Sequence, residues 1–263
     1  MGAPGRAEAA YSACRVIESR PVGAYRLVSF IAREMAAGAR PGQFLMVRRS
    51  GPALDPLLPR PMSIHDVESD LVKVLIDPVG KGTLNLAAAG VGDQFNVLGP
   101  LGNGFNLEGD GPALLAGGGI GAAPLAYLAR QLMDRGREVT CLLGFRSRAQ
   151  AIAAELFRGV DVHVSTEDGS VGRQGLVSEL LSGCIAGLGP GARQAELFAC
   201  GPDAMLRAVS ATALECGVRS QVSVDTHMAC GVGACQGCVV ETVQGYRRAC
   251  SEGPVFAAAD LKW

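Results

Sequence analysis

Hydrophobic and polar positions change their period near residue 109, and that change divides the chain. Before it, β-type runs at residues 15–19, 25–31, 43–47 and 71–76 are rich in Val, Ile, Leu and Phe and are separated by Gly and Pro. Short strands at this spacing predict an antiparallel β-barrel. After it, apolar runs at 113–116, 138–145, 160–165 and 196–200 alternate with helical stretches at 125–133, 149–157, 176–181 and 202–216. That alternation predicts an α/β parallel sheet covered on both faces. It stops near Gln221, where a cysteine-rich segment begins. The expected organisation is a β-barrel domain over residues 1–108, an α/β domain over 109–220 and a small C-terminal domain over 221–263.

Composition narrows the classes. With 36 Gly and 14 Pro in 263 residues, the two exceed their combined average of roughly 12%, which points to tight turns and cofactor loops. A net charge of −1 with acids and bases interspersed offers no footprint for nucleic acid or an anionic membrane. Aromatic residues at 5% argue against base stacking. Residues 112–129 carry no charge, but Gly117, Gly118, Gly119 and Pro124 interrupt them, fitting a strand, a loop and a helix rather than a membrane span. The first residues show no signal-type apolar run, and Arg6 stands where myristoylation calls for Ser or Thr. A cytoplasmic protein is expected. Nine cysteines, an odd count, argue against a disulfide framework.

Four of those cysteines crowd the tail. Cys230, Cys235, Cys238 and Cys250 are spaced C-x4-C-x2-C-x11-C, and the first three match the plant-type [2Fe-2S] pattern. Two irons need four thiolates converging on a small volume, wrapped by residues too small to collide with them. Gly231, Gly233, Ala234 and Gly237 meet that need, and their backbone N–H groups can face the sulfur atoms. Structural zinc is the rival, although it usually takes two C-x2-C pairs. Cys14, Cys141, Cys184 and Cys216 lie in apolar or helical contexts and read as small buried hydrophobes.

Two further constellations suit cofactors. Arg60-Pro61-Met62-Ser63 and Gly80-Lys81-Gly82-Thr83 offer a cation, a hydroxyl and a close-approaching backbone, the needs of a flavin dinucleotide such as FAD. Gly117-Gly118-Gly119-Ile120-Gly121 joins a strand to a helix and can admit a pyrophosphate, although Ala122 departs from a strict G-x-G-x-x-G. Cys200-Gly201-Pro202 ends another strand and opens a helix, and Thr166 to Ser170 forms a loop after a third.

Together these motifs resemble the electron-transfer subunit of class 1B dihydroorotate dehydrogenase, within the wider ferredoxin-NADP reductase group. The likeness covers nearly the whole chain. Its carriers also include Gly99-Pro100-Leu101-Gly102-Asn103-Gly104-Phe105, Gly144-Phe145-Arg146-Ser147, Glu167-Asp168-Gly169-Ser170 and the ending Cys250-Ser251-Glu252-Gly253-Pro254-Val255-Phe256. The resemblance implies an N-terminal FAD barrel, an NAD domain and a C-terminal [2Fe-2S] domain. It implies that Arg60, Pro61, Met62, Ser63, Ile76, Asp77, Pro78, Gly82 and Thr83 contact FAD. Gly118, Gly119, Gly121, Cys200, Gly201 and Pro202 would sit at the nicotinamide cofactor, and Cys230, Cys235, Cys238 and Cys250 would bind the cluster. It further implies a partner, the FMN-containing catalytic subunit that oxidises dihydroorotate to orotate in pyrimidine biosynthesis, in a heterotetramer.

Two positions depart from the pattern. Met62 stands where the wider group often has an aromatic residue. Ile76-Asp77-Pro78 stands where the subfamily often carries Tyr or Arg, so Asp77 is expected to turn its acid away and contribute through backbone. A flavin joins one-electron and two-electron chemistry, so the implied path runs from the partner's FMN to the cluster, to FAD, to NAD. Arg146 and Arg148 follow a strand where they would suit the 2′-phosphate of NADP, whereas the resemblance favours NAD. The alternatives are a related FAD/[2Fe-2S] subunit of a hydrogenase, sulfur reductase or bifurcating complex, and a redox sensor without flavin.

Overall fold

The computed structural model describes residues 9–51 and 55–263. Residues 1–8, read above for targeting signals, lie outside the described residues. The first half is a curled antiparallel sheet of seven strands: β1 (Ala10–Val22), β2 (Tyr25–Ile31), β3 (Phe44–Arg49), β4 (Arg60–Ser63), β5 (Asp66–Glu68), β6 (Leu71–Ile76) and β7 (Gln94–Leu101). They are ordered β4-β3-β7-β1-β2-β6-β5. The chain leaving β4 draws the two halves together: Ile64 N–H donates to Gln43 O at 3.1 Å and His65 N–H to Lys73 O at 2.9 Å. Val16, Phe30, Phe95 and Val97 fill the interior. Helices α1 (Arg33–Gly38) and α2 (Lys81–Ala87) add Met35, Ala36 and Leu86 to that core.

Strands β4 and β7 carry the site but escape a reading of apolar runs. In β4, Pro61 interrupts the pattern; the strand lies at the sheet edge, where a missing N–H costs no ladder bond. In β7 the period is two, with Phe95 and Val97 inward, but Gly92 before it and Gly99-Pro100 within it disguise the pattern.

The second half is a parallel sheet built from β8 (Ala113–Gly118), β9 (Val139–Phe145), β10 (Asp161–Thr166), β11 (Arg173–Gln174), β12 (Glu196–Cys200) and β13 (Arg219–Ser223). Its helices are α3 (Ala123–Met133), α4 (Arg148–Ala151), α5 (Val177–Leu188) and α6 (Asp203–Glu215). Alternation along β8 explains the two covered faces. Ala113 and Leu115 pack with Leu125 and Leu128 of α3 and with Leu27 of the barrel. Leu114 and Ala116 pack with Leu181 of α5 and Leu206 of α6. The helix expected over 149–157 is shorter: α4 gives way to a 3-10 turn at Ile152–Leu156. A hairpin of β14 (Val239–Thr242) and β15 (Gly245–Arg248) follows the cysteine loop. Strand β16 (Val255–Ala257) then returns to pair antiparallel with β13, stitching the tail to the α/β sheet. Among the described residues, no helix is long and apolar enough to cross a membrane. Cys14 and Cys141 are buried and Cys184 half-buried as expected, but Cys216 is exposed because α6 ends there against solvent.

Two contact sets fix the halves. At the barrel seam, His65 Nδ1–H donates to Ala123 O at 2.7 Å, Arg130 pairs with Asp66 at 2.6 Å, and Tyr127 OH donates to Ala39 O at 3.1 Å. Below the sheet, Arg137 pairs with Glu196 at 3.1 Å, donates to Gly111 O at 3.0 Å and stacks on Phe198. Both partners are almost wholly buried. Glu196→Ala leaves the buried Arg137 without its carboxylate partner, and is expected to destabilise by about 3–5 kcal/mol in urea unfolding. Burial holds the His65 imidazole below its usual 6.5. The unfolded chain therefore takes up that proton more readily, and the stability it contributes is full above about 6.5 and lost as pH falls below it. His65→Asn, which keeps a donor for Ala123, is expected to lose less melting temperature than the parent between about pH 7.5 and 5.5; equal losses would remove His65 from that dependence.

Candidate functional site

The four tail cysteines come together, Cys230 beside Cys235 and Cys250 beside Cys238, with Cys250 also close enough to feel Cys230 electrostatically. Three thiols spaced C-x4-C-x2-C and a fourth brought back by the β14–β15 hairpin suit a [2Fe-2S] cluster, whereas structural zinc usually takes two C-x2-C pairs. The backbone supports the sulfur atoms. Cys230 Sγ accepts from Val232 N–H and Cys235 N–H at 3.5 Å, and Cys250 Sγ accepts from Gly233 N–H at 3.1 Å. Burial opposes ionisation of Cys230, but those N–H groups and the Cys235 thiol outweigh it and bring the thiol down to about 6. Burial and the neighbouring Cys238 push Cys250 up to about 12.

The cysteine loop is seated on the barrel. Gly231 has φ +72°, and a Cβ there would lie 2.5 Å from Met46 Cγ and 3.0 Å from Leu101 Cδ1. Met46 of β3 is paired in register with Pro61 of β4. On the other flank, Asn103 N–H donates to Gly253 O at 2.6 Å and Asn103 Nδ2 to Glu252 O at 2.8 Å. The seat formed by Met46 and Leu101 was invisible in sequence, because both residues read as ordinary strand core.

The two flavin motifs come together. Arg60 crosses the start of α2 so closely that a Cβ on Gly82 would lie 2.1 Å from its Nε. Its Nη1 donates to the carbonyls of Leu58 and Pro59 at 2.7 and 3.4 Å, leaving the cation beside a cleft of about 240 Å³. Ser50, whose buried hydroxyl has no partner among the described residues, and Asn85 line the same cleft. Neither stood out in sequence; only their spatial proximity to Arg60 marks them. Thr83 Oγ1 accepts Gly80 N–H at 3.1 Å, and Lys81 pairs with Asp55 at the cleft mouth. Ile76 is buried in the barrel core, so it has only backbone to offer a ligand. The Asp77 carboxylate interacts with Arg146 and Tyr25, across the seam.

The nucleotide motifs meet at the carboxyl ends of β8 and β12. The sheet order is β11-β10-β9-β8-β12-β13-β16, so strand order reverses between β8 and β12. Crevices at such reversals bind ligands in open α/β sheets. Gly117 pairs in register with Cys200, and a Cβ on Gly121 would lie 2.4 Å from Cys200 O. Gly118 lies against Pro202 and Met205. Burial, helped by Asp225, pushes the Cys200 thiol up to about 12, so it stays protonated. Ser223 and Asp225, at the end of β13, join Cys200 here and carried no signal in sequence. Arg148 donates to Ser170 O at 2.5 Å, which ties it to the Glu167–Ser170 loop rather than leaving it open to a ligand.

Comparison with known proteins agrees with this geometry. Residues 225–262 match the family described as the iron-sulfur cluster binding domain of dihydroorotate dehydrogenase B. The chain is 41% identical over 234 residues to the dihydroorotate dehydrogenase B (NAD(+)) electron transfer subunit of Shouchella clausii, covering 85% of this chain and 86% of that one. It is 39% identical over 263 residues to the subunit of the same name from Geobacillus kaustophilus, covering 93% and 98%. The solved structure of an NADH-dependent reduced ferredoxin-NADP oxidoreductase, studied for flavin-based electron bifurcation, superposes with a TM-score of 0.84 at 27% identity, over 100% of this chain and 92% of the other. The chain belongs to the family of dihydroorotate dehydrogenase B electron transfer subunits.

Proposed function

We propose that this chain takes electrons from an FMN-bearing catalytic subunit, where dihydroorotate is oxidised to orotate, and passes them through a [2Fe-2S] cluster and FAD to NAD. The observation that carries this reading is the seat of the cysteine loop: Gly231 lies on Met46, and Met46 pairs with Pro61 in the Arg60–Ser63 strand. When bound, FAD supplies the exchange between single-electron steps and the hydride chemistry of NAD.

The chain's own residues bind and orient. Cys230, Cys235, Cys238 and Cys250 would together hold the two irons of the cluster. Arg60 gives its cation to the FAD pyrophosphate, with Pro61, Met62, Ser63, Gly82 and Thr83 as neighbouring contacts. Ile76, Asp77 and Pro78 contribute backbone. Gly118, Gly119 and Gly121, facing Cys200, Gly201 and Pro202, receive the nicotinamide dinucleotide. Cys200, a neutral thiol packed in the crevice, shapes the site without charging it. The units are residues 1–108 for FAD, 109–220 for NAD and 221–263 for the cluster, and with the catalytic subunit they form a heterotetramer. The likeness to the bifurcating oxidoreductase favours a second reading, a subunit of a bifurcating complex.

Anaerobically purified protein is expected to hold about two irons and about one FAD per chain, by metal and flavin quantification; zinc without a yellow chromophore would overturn the assignment. Dihydroorotate-dependent NADH formation should appear only when the FMN subunit is added. An active complex with another partner and no orotate would select the second reading. Gly82→Ala is expected to keep the fold, because the atom it meets is the far end of a flexible side chain, but to displace the Arg60 guanidinium. FAD affinity should fall about tenfold, or about 1.4 kcal/mol, in a flavin-fluorescence titration.

A further inference from the structure

Arg248 ends β15, two residues before Cys250. Its guanidinium is held in place from several sides. Glu252 accepts from Arg248 Nε at 3.0 Å, from its backbone N–H at 2.7 Å and also from Nη2, while Ser251 Oγ donates to the same carboxylate at 3.1 Å. The remaining arm, Nη1, donates to Gly233 O at 3.1 Å. Gly233 is the residue whose N–H donates to Cys250 Sγ at 3.1 Å. A Cβ at Gly233 would lie 3.4 Å from Arg248 Nη1 and 3.1 Å from Ser251 Oγ, so the loop, the cation and the turn are packed against one another. The guanidinium also interacts electrostatically with the Cys250 and Cys238 sulfurs.

An exposed i,i+4 ion pair contributes little to stability. This pair, however, stands beside sulfur ligands. Reducing an iron-sulfur cluster adds negative charge, and nearby cations and N–H donors to sulfur stabilise the reduced form. We propose that Arg248 is a positioning residue that raises the reduction potential of the cluster, by holding a fixed positive charge and the Gly233 peptide against the Cys238–Cys250 pair, with Glu252 offsetting part of that charge. The proposal rests on the [2Fe-2S] reading above.

The test is an EPR-monitored redox titration of the intact holoprotein, with iron quantified in every sample. Arg248→Gln is expected to lower the cluster potential so that its electron-accepting equilibrium falls about tenfold, equivalent to about 59 mV for one electron. Arg248→Lys keeps the charge and should stay close to the parent. Glu252→Gln removes the opposing charge and should move the potential the other way. A residue that only staples the turn would shift both Gln variants alike or not at all, and either result overturns the proposal. If Arg248→Gln fails to retain iron, Glu252→Gln decides alone: a raised potential supports the proposal and any other value defeats it. Parent protein lacking about two irons per chain would instead sink the cluster reading itself.

Discussion

The close approach of the cysteine loop to the barrel is the constraint on which the rest depends. Gly231 sits in the left-handed region, and the space a side chain would need is taken by Met46 and Leu101. Both belong to buried strands, β3 and β7, that cannot retreat without opening the barrel. Asn103 grips the opposite flank through Gly253 and Glu252. Electron exchange weakens steeply with separation, so backbone packed on strand does more for a relay than any acid or base would. Gly42 and Gly102 serve the same end, since a Cβ at either would meet Val255 or Pro254 of the tail.

The nucleotide crevice follows the same logic from topology. Reversal of strand order between β8 and β12 leaves two strand ends with no helix crossing over them. Small residues from both ends fill that place, and Gly121 packs directly on Cys200 and Gly201. A protonated Cys200 adds no charge of its own there, and burial raises the pKa of the neighbouring Asp225 above the usual carboxylate value. The seam contacts of His65, Arg130 and Tyr127 hold this crevice to the barrel, so the two sites keep one relative orientation.

What was legible in the sequence was whatever has a local period or a fixed spacing. The alternation of strand and helix after residue 109 and the C-x4-C-x2-C spacing are both local; the alternation appears in the structure, with the helix expected over 149–157 shortened. Strand β4 was not legible, because an edge strand tolerates Pro61 where a central strand would not. Cys216 was misread because an apolar helix context says nothing about which face meets solvent; Cys216 caps α6 and faces outward. The seat of Met46 and Leu101, and the placing of Ser223 and Asp225 beside Cys200, depend on contacts between segments more than 20 residues apart, for which one sequence carries no signal.

The two cysteine pairs differ in their surroundings. Cys238 and Cys250 are 1% and 2% exposed and share a hydrophobic cluster with Phe44, Met46 and Leu101 of the barrel. Cys235 is exposed, and Val232 beside the same pair is 56% exposed. An iron held by the outer pair therefore meets whatever docks from solution, while one held by the inner pair lies in core continuous with the barrel. A zinc site built only for stability would have no need of such unequal surroundings for ligands of one kind. A relay has a use for them: the exposed side can face a docking donor while the buried side stays in packed core close to the barrel.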